Sequence, residues 1–163
     1  MRTWLLVAAE RREFEGILKR AGSAAALPWP GAKFAREVKW KEDRWWMIAN
    51  GPGAALVKEA FLNTEMQQQV VGIVSTGLCG ALDPALRVGD IVVSGDAPLH
   101  ASAKFVRGEV HTVDRVVVTA GDKRLLRNST GAVAVDMEAA TVEQTAADWK
   151  LPFLCVRAVS DTA

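Results

Sequence analysis

Two stretches decide the fold of this chain: Ala134-Val135-Asp136-Met137-Glu138-Ala139-Ala140 and Arg157-Ala158-Val159-Ser160-Asp161. Each opens on an apolar, strand-like run and closes on a carboxylate. In open α/β sheets, ligands bind beyond the carboxyl ends of the strands. Two carboxylates delivered there can converge on one small polar ligand. One can accept hydrogen bonds from a vicinal diol while the other gives or takes a proton. Each also has a plainer reading. A glutamate opening a helix complements the helix dipole, and Ser-Asp after a strand is a common turn or N-cap signal.

Working outward, apolar runs predict strands over 4–8, 34–40, 45–49, 70–75, 91–94, 113–120, 132–136 and 153–159. Apolar residues at helical spacing predict helices over 10–20, 54–66, 122–127 and 138–149. The polar Lys41-Glu42-Asp43-Arg44 between two strand-like runs signals a hairpin. Residues 24–32, with Pro28 and Pro30, read as a loop, and 95–112 as irregular. Strands alternate with helices, and several strands are apolar throughout. That pattern predicts an α/β fold whose mainly parallel sheet is covered on both faces.

The chain has 163 residues, half of them hydrophobic and 24% charged, which suits a single globular domain. Its net charge of +1 supplies no field to draw nucleic acid or an acidic membrane. Cys79 and Cys155 lack CxxC spacing and stand among apolar or glycine residues. They read as reduced, buried thiols of a cytoplasmic protein, and no zinc site is expected. The apolar run from Trp4 to Ala9 is too short for a signal peptide or a membrane span.

Two glycine segments follow strand-like runs. Thr76-Gly77-Leu78-Cys79-Gly80 lets backbone amides approach a ligand closely, or else makes a tight turn. Gly51-Pro52-Gly53 is not a dinucleotide fingerprint, because Leu56 takes the third glycine position and no acidic residue follows about twenty residues on. The run Val74 to Leu82 with Leu86-Arg87-Val88-Gly89-Asp90, then Val135-Asp136-Met137-Glu138-Ala139-Ala140, then Ser160-Asp161, resembles the nucleoside phosphorylase and nucleosidase superfamily in content and order. The style of Thr-Gly-Leu-Cys-Gly and Val-Asp-Met-Glu-Ala-Ala is similar to its hopanoid-associated phosphorylase branch.

The resemblance implies a three-layer phosphorylase/hydrolase-like fold with a mixed, mostly parallel sheet between helices. It implies an enzyme cleaving the N-glycosidic bond of a purine nucleoside, with water or phosphate as acceptor. It places Met137 on the sugar, Glu138 on the ribose hydroxyls and Asp161 beside the base as general acid towards N7. Asp136 takes a supporting role. Thr76, Gly77 and Gly80 line the nucleoside pocket, and Gly51 and Gly53 border the attacking water or phosphate. It implies no metal and no organic cofactor, phosphate serving as possible co-substrate. The partner implied is a small-molecule nucleoside, with assembly as a homodimer or larger homo-oligomer.

The chain departs from the family in three places. Nucleosidases carry an acidic residue in the first strand-to-helix turn to orient water. An ungapped match puts Arg12 there, with Glu10 and Glu13 as displaced candidates. Arg11 and Arg12 are candidate phosphate ligands and incline the reading towards phosphorolysis, although Ser75 and Leu78 stand where hexameric purine phosphorylases bind phosphate. Near Gly121-Asp122-Lys123, where nucleosidases stack an aromatic on the base, this chain has Lys123. Third, the sequence stops at Ala163, where family members continue into a C-terminal helix. The expectation is one domain over 1–163 without that helix. The alternative reading is a catalytically silent nucleoside-binding member. His100 is a candidate for the pocket edge.

Overall fold

The computed structural model describes residues 1–62, 65–95 and 104–163, so His100 lies outside the described residues. In chain order the elements are β1 (Thr3–Ala8), α1 (Glu15–Ala21), β2 (Ala25–Ala26), β3 (Phe34–Trp40), β4 (Asp43–Ala49), α2 (Ala54–Ala60), β5 (Gly72–Ala81), β6 (Ile91–Gly95), β7 (Val106–Arg107), β8 (Val110–Thr112), α3 (Ala120–Thr130), β9 (Ala134–Asp136), α4 (Ala139–Asp148) and β10 (Phe153–Asp161). A 3-10 turn over Arg11–Phe14 joins β1 to α1.

The strands form one mixed sheet in the order β2-β3-β4-β1-β5-β10-β6-β7, with β9 paired to β5 and β8 to β9. The central run β4-β1-β5-β10 is parallel throughout, and antiparallel pairs β3/β4 and β10/β6 flank it. Strand β1 shows why the sheet is a middle layer. Leu5 and Val7 point to one face, where they pack with Val57 and Ala60 of α2 and Val142 and Ala146 of α4. Leu6 and Ala8 point to the other, where Phe14 and Ile17, Leu18 and Ala21 of α1 cover them. An all-apolar strand has no other stable environment, since either exposed face would leave aliphatic surface in water. Trp29 and Trp46 meet edge to face in the first of these layers, 6.1 Å apart. Their indole N–H groups donate to the Ala60 carbonyl and the Glu37 carboxylate, the partners such rings need when buried.

The structure corrects three element boundaries. Residues 113–119 are not a strand, and Val116 and Val118 are 71% and 76% exposed. Valine repeats favour a strand only where a neighbour completes the ladder, and β8 takes that place beside β9. Helix α2 ends at Ala60, where the chain tightens and Phe61 packs edge to face on Trp149, 5.3 Å away. The glycine segment 76–80 is strand rather than loop. Strand β5 runs on to Ala81 because β10 stays paired with it as far as Asp161 opposite Gly80.

Candidate active site

The carboxyl ends of β1, β5 and β10, the β9–α4 turn and the loop after β4 close around a cavity of about 640 Å³. Glu10, Arg12, Glu13, Arg115, Lys123, Asp136, Glu138 and Asp161 supply its charge, and Met137, Leu78, Gly80 and Pro52 are among its other walls. A neighbouring hollow of about 750 Å³ between residues 113–118 and α3 shares Arg115 to Val118 with it but holds no strand-end carboxylate.

Glu138 stands at the N-cap position of α4 in a non-helical conformation, φ −133°, so the helix begins at Ala139, one residue later than expected. Its Oε1 accepts the Gly53 N–H at 2.8 Å. Burial pushes its carboxyl above the usual glutamate range, and the nearby Asp136 adds to the rise, while the Gly53 bond opposes it. A carboxylate so placed is a strong acceptor, partly stripped of water.

Behind it lies a buried ionic network. The Arg157 guanidinium donates to Asp136 Oδ2 from Nη2 at 2.6 Å and from Nε at 3.1 Å, and to Ser75 Oγ at 2.8 Å. Asp136 also accepts from Thr112 Oγ1 and the Ala139 N–H, both within 2.8 Å. Arg157 therefore orients Asp136, and through it the turn carrying Glu138, rather than Asp161. Its guanidinium, buried but facing anionic neighbours, titrates above the ordinary arginine value. Arg157→Met should cost ~3–5 kcal/mol, the scale of stranding one member of a buried pair. Urea unfolding would measure it, and a loss under ~1 kcal/mol would mean that water reaches Asp136.

Glu13 was only a displaced candidate in the sequence, yet its carboxylate is the one seated on the β5 backbone. Oε1 accepts the Leu78 N–H at 3.2 Å and Oε2 the Glu10 N–H at 3.0 Å. Gly77, at φ +142°, makes the seat possible, because a Cβ there would stand 2.7 Å from Glu13 Oε1. Arg12 reaches the cavity wall, but its guanidinium pairs with Glu10 at 2.8 Å and is 70% exposed. Arg11 is not on the wall and lies over the Phe34 ring.

Asp161 sits against Gly80, whose missing Cβ would be 3.2 Å from Oδ2. Ser160 Oγ donates to Asp161 Oδ1 at 2.9 Å. The Lys123 ammonium, 3% exposed, reaches Asp161 Oδ2 and the Thr162 carbonyl. Of the expected pocket residues, Met137 and Gly80 are on the wall, while Thr76, Gly77, Gly51 and Gly53 are not. Gly51 donates to the Ala9 carbonyl at 2.8 Å, tying the loop after β4 to the end of β1. The Cys79 thiol is also on the wall, and burial pushes it up to about 12, which leaves it protonated and a poor nucleophile. Among the described residues, no helix is long and apolar enough to cross a membrane.

Comparison with known proteins agrees with this geometry. A family model described as the phosphorylase superfamily matches residues 95–163. A 5′-methylthioadenosine/S-adenosylhomocysteine nucleosidase of Staphylococcus aureus (strain JH9) is 29% identical over 129 residues. That match covers 56% of this chain and 57% of the relative, so the chain spans little more than half of the curated protein's length. Among solved structures, the corresponding nucleosidase of Campylobacter jejuni superposes with a TM-score of 0.83 at 17% identity, covering 100% of this chain and 87% of that one. A futalosine hydrolase mutant of Helicobacter pylori strain 26695 gives 0.83 at 16%, covering 99% and 86%. The nucleosidase of Colwellia psychrerythraea 34H, in complex with adenine, gives 0.82 at 24%, covering 99% and 83%. At these identities the superpositions establish the fold, and the match of residues 95–163 to the phosphorylase superfamily model takes in both strand-end motifs of the site.

Proposed function

We propose that the chain hydrolyses the N-glycosidic bond of a purine nucleoside, releasing the free base and free sugar. The observation that carries the reading is the seating of Glu13 on two backbone N–H groups, in the same cavity as Glu138 and Asp161. In this reading Glu138 accepts hydrogen bonds from the ribose hydroxyls, and a deoxy sugar leaves that desolvated acceptor unsatisfied. Glu13 orients the attacking water and takes its proton. Asp161 addresses the base, with Met137 against the sugar.

The sequence inclined towards phosphorolysis, whereas the arrangement of charge in the cavity supports the reading with water as acceptor. A phosphate dianion needs free cationic donors. Arg12 is already paired with Glu10, Arg11 stacks on Phe34 and Lys123 is held by Asp161, which leaves Arg115 as the remaining wall cation among the described residues, against five wall carboxylates. The similar curated relative is also a nucleosidase.

A panel of purine nucleosides incubated with and without phosphate tests the reading. The expected product is free sugar, at a rate indifferent to phosphate. A sugar 1-phosphate formed in proportion to phosphate would restore the phosphorylase reading. Tight binding without base release would instead favour a silent nucleoside-binding protein.

A further inference from the structure

The nucleosidase reading leaves open where the proton for the departing base resides, and this inference rests on that reading. Lys123 lies in the first turn of α3, is 3% exposed and shares the cavity wall with Asp161. Its ammonium carries three N–H donors and no acceptor. Two are used, on Asp161 Oδ2 and on the Thr162 carbonyl. One remains for a ligand at the wall. For Asp161 to serve alone as a general acid, it would have to be protonated beforehand. That would strip a buried ammonium of its counter-charge, a costly state.

We propose that the proton taken up by the departing base is held at rest on the Lys123 ammonium, with Asp161 as its ionised partner. The C1′–N9 bond breaks and its electron pair passes into the base, raising the basicity of N7. N7 takes a proton from Nζ, leaving Lys123 a neutral amine still bonded to Asp161. The water oxygen adds to C1′ and its proton goes to Glu13. After release, Glu13 returns a proton to solvent and Lys123 regains one. Nucleoside and water thus become base and free sugar, with the protein unchanged. The ionised Asp161 is free to accept an N–H from the base edge, so the pair presents a donor beside an acceptor.

The pH dependence of the wild-type reaction separates the two acids. The charged groups sharing the wall with this pair are Glu10, Arg12, Glu13, Arg115, Asp136 and Glu138. On α3 itself Asp122 is bonded to Thr119 and Arg127 to Asp83. A carboxylic acid donor, even one tuned up to about pH 6–7, loses rate above that point. An ammonium donor, as a class, gives up its proton at higher pH than a carboxylic acid. The expected kcat/KM on a purine nucleoside therefore holds level from about pH 7 to about pH 9. Lys123→Arg keeps the charge but cannot release a proton, and should lower nucleoside hydrolysis by ~10²-fold or more. It should retain most activity on a nitrophenyl riboside, whose leaving group needs no protonation. An alkaline limb beginning below about pH 7.5 in the wild type, or wild-type nucleoside turnover by Lys123→Arg, overturns the inference while leaving hydrolysis standing. Should Lys123→Arg not fold, as judged by circular dichroism, the wild-type profile alone decides. Failure of the wild-type protein to release base from any nucleoside overturns the nucleosidase reading and this inference with it.

Discussion

Glu138→Gln is expected to lower nucleoside turnover by ~10²–10³-fold, the usual effect of removing one electrostatic contact that strengthens in the transition state. The substitution preserves shape, and the Gly53 N–H keeps an acceptor in the amide oxygen. What disappears, in the proposed reading, is the negative charge facing the ribose. That charge is also a burden on the fold. Burial raises the Glu138 carboxyl above its ordinary value, so protonation is easier in the folded chain than in the unfolded one. A group of this sign favours the fold below its unfolded pKa and loses that contribution as pH rises through the folded value. At pH 7 the ionised side chain is therefore a cost, and Glu138→Gln should melt no lower than wild type. Its advantage should shrink as pH falls towards the carboxylate range. Activity should move the opposite way: the wild-type acid limb belongs to protonation of this acceptor and should lie at higher pH than for an ordinary glutamate. Scanning calorimetry at pH 7 and pH 5 with steady-state rates checks both halves. A folded variant with near-wild-type turnover would remove Glu138 from the site.

How far the sequence could be read depended on whether a side chain's role is set by its own element or by a distant one. Glu138, Met137, Asp161 and Gly80 were legible because each follows an apolar run whose end is fixed by burial, and all four meet on one cavity wall. Lys123 was visible as a departure from the family but not as a partner of Asp161. A lysine on a polar helix reads as solvated, and its counter-charge stands 38 positions away. An ungapped match puts Arg12 in the acidic position, and a local feature explains why Glu13 is the residue that reaches β5. The turn after β1 is 3-10 over Arg11–Phe14, with about three residues per turn instead of 3.6. Residues three apart then share a side, and Glu13 comes back under Glu10 to face β5. The strand expected over 113–120 failed because alternation describes one chain while a ladder requires two.

Glu13→Gln is the substitution that decides the acceptor. Its carboxylate spends one oxygen on each of two backbone N–H groups, Leu78 at 3.2 Å and Glu10 at 3.0 Å. Each carboxylate oxygen has a second lone pair, so an attacking water can be held as well. An amide keeps one acceptor only, and its NH₂ must face a donor or rotate away. If water is the nucleophile, the variant loses both the orientation of that water and the site that takes its proton. Free-sugar formation should fall by ~10³-fold, within the ~10²–10⁴ range for general base catalysis. Nucleoside binding should survive, because Glu138 and Asp161 are untouched; the Kd from titration calorimetry should change by less than about tenfold, or ~1.4 kcal/mol. Phosphorolysis predicts the reverse. Removing a carboxylate from a phosphate site relieves like-charge repulsion, so turnover in phosphate would hold or rise. Loss of binding together with turnover would point instead to a purely structural Glu13, pinning Leu78 and the end of β1. A rate collapse with binding intact is the result that assigns the nucleophile to water.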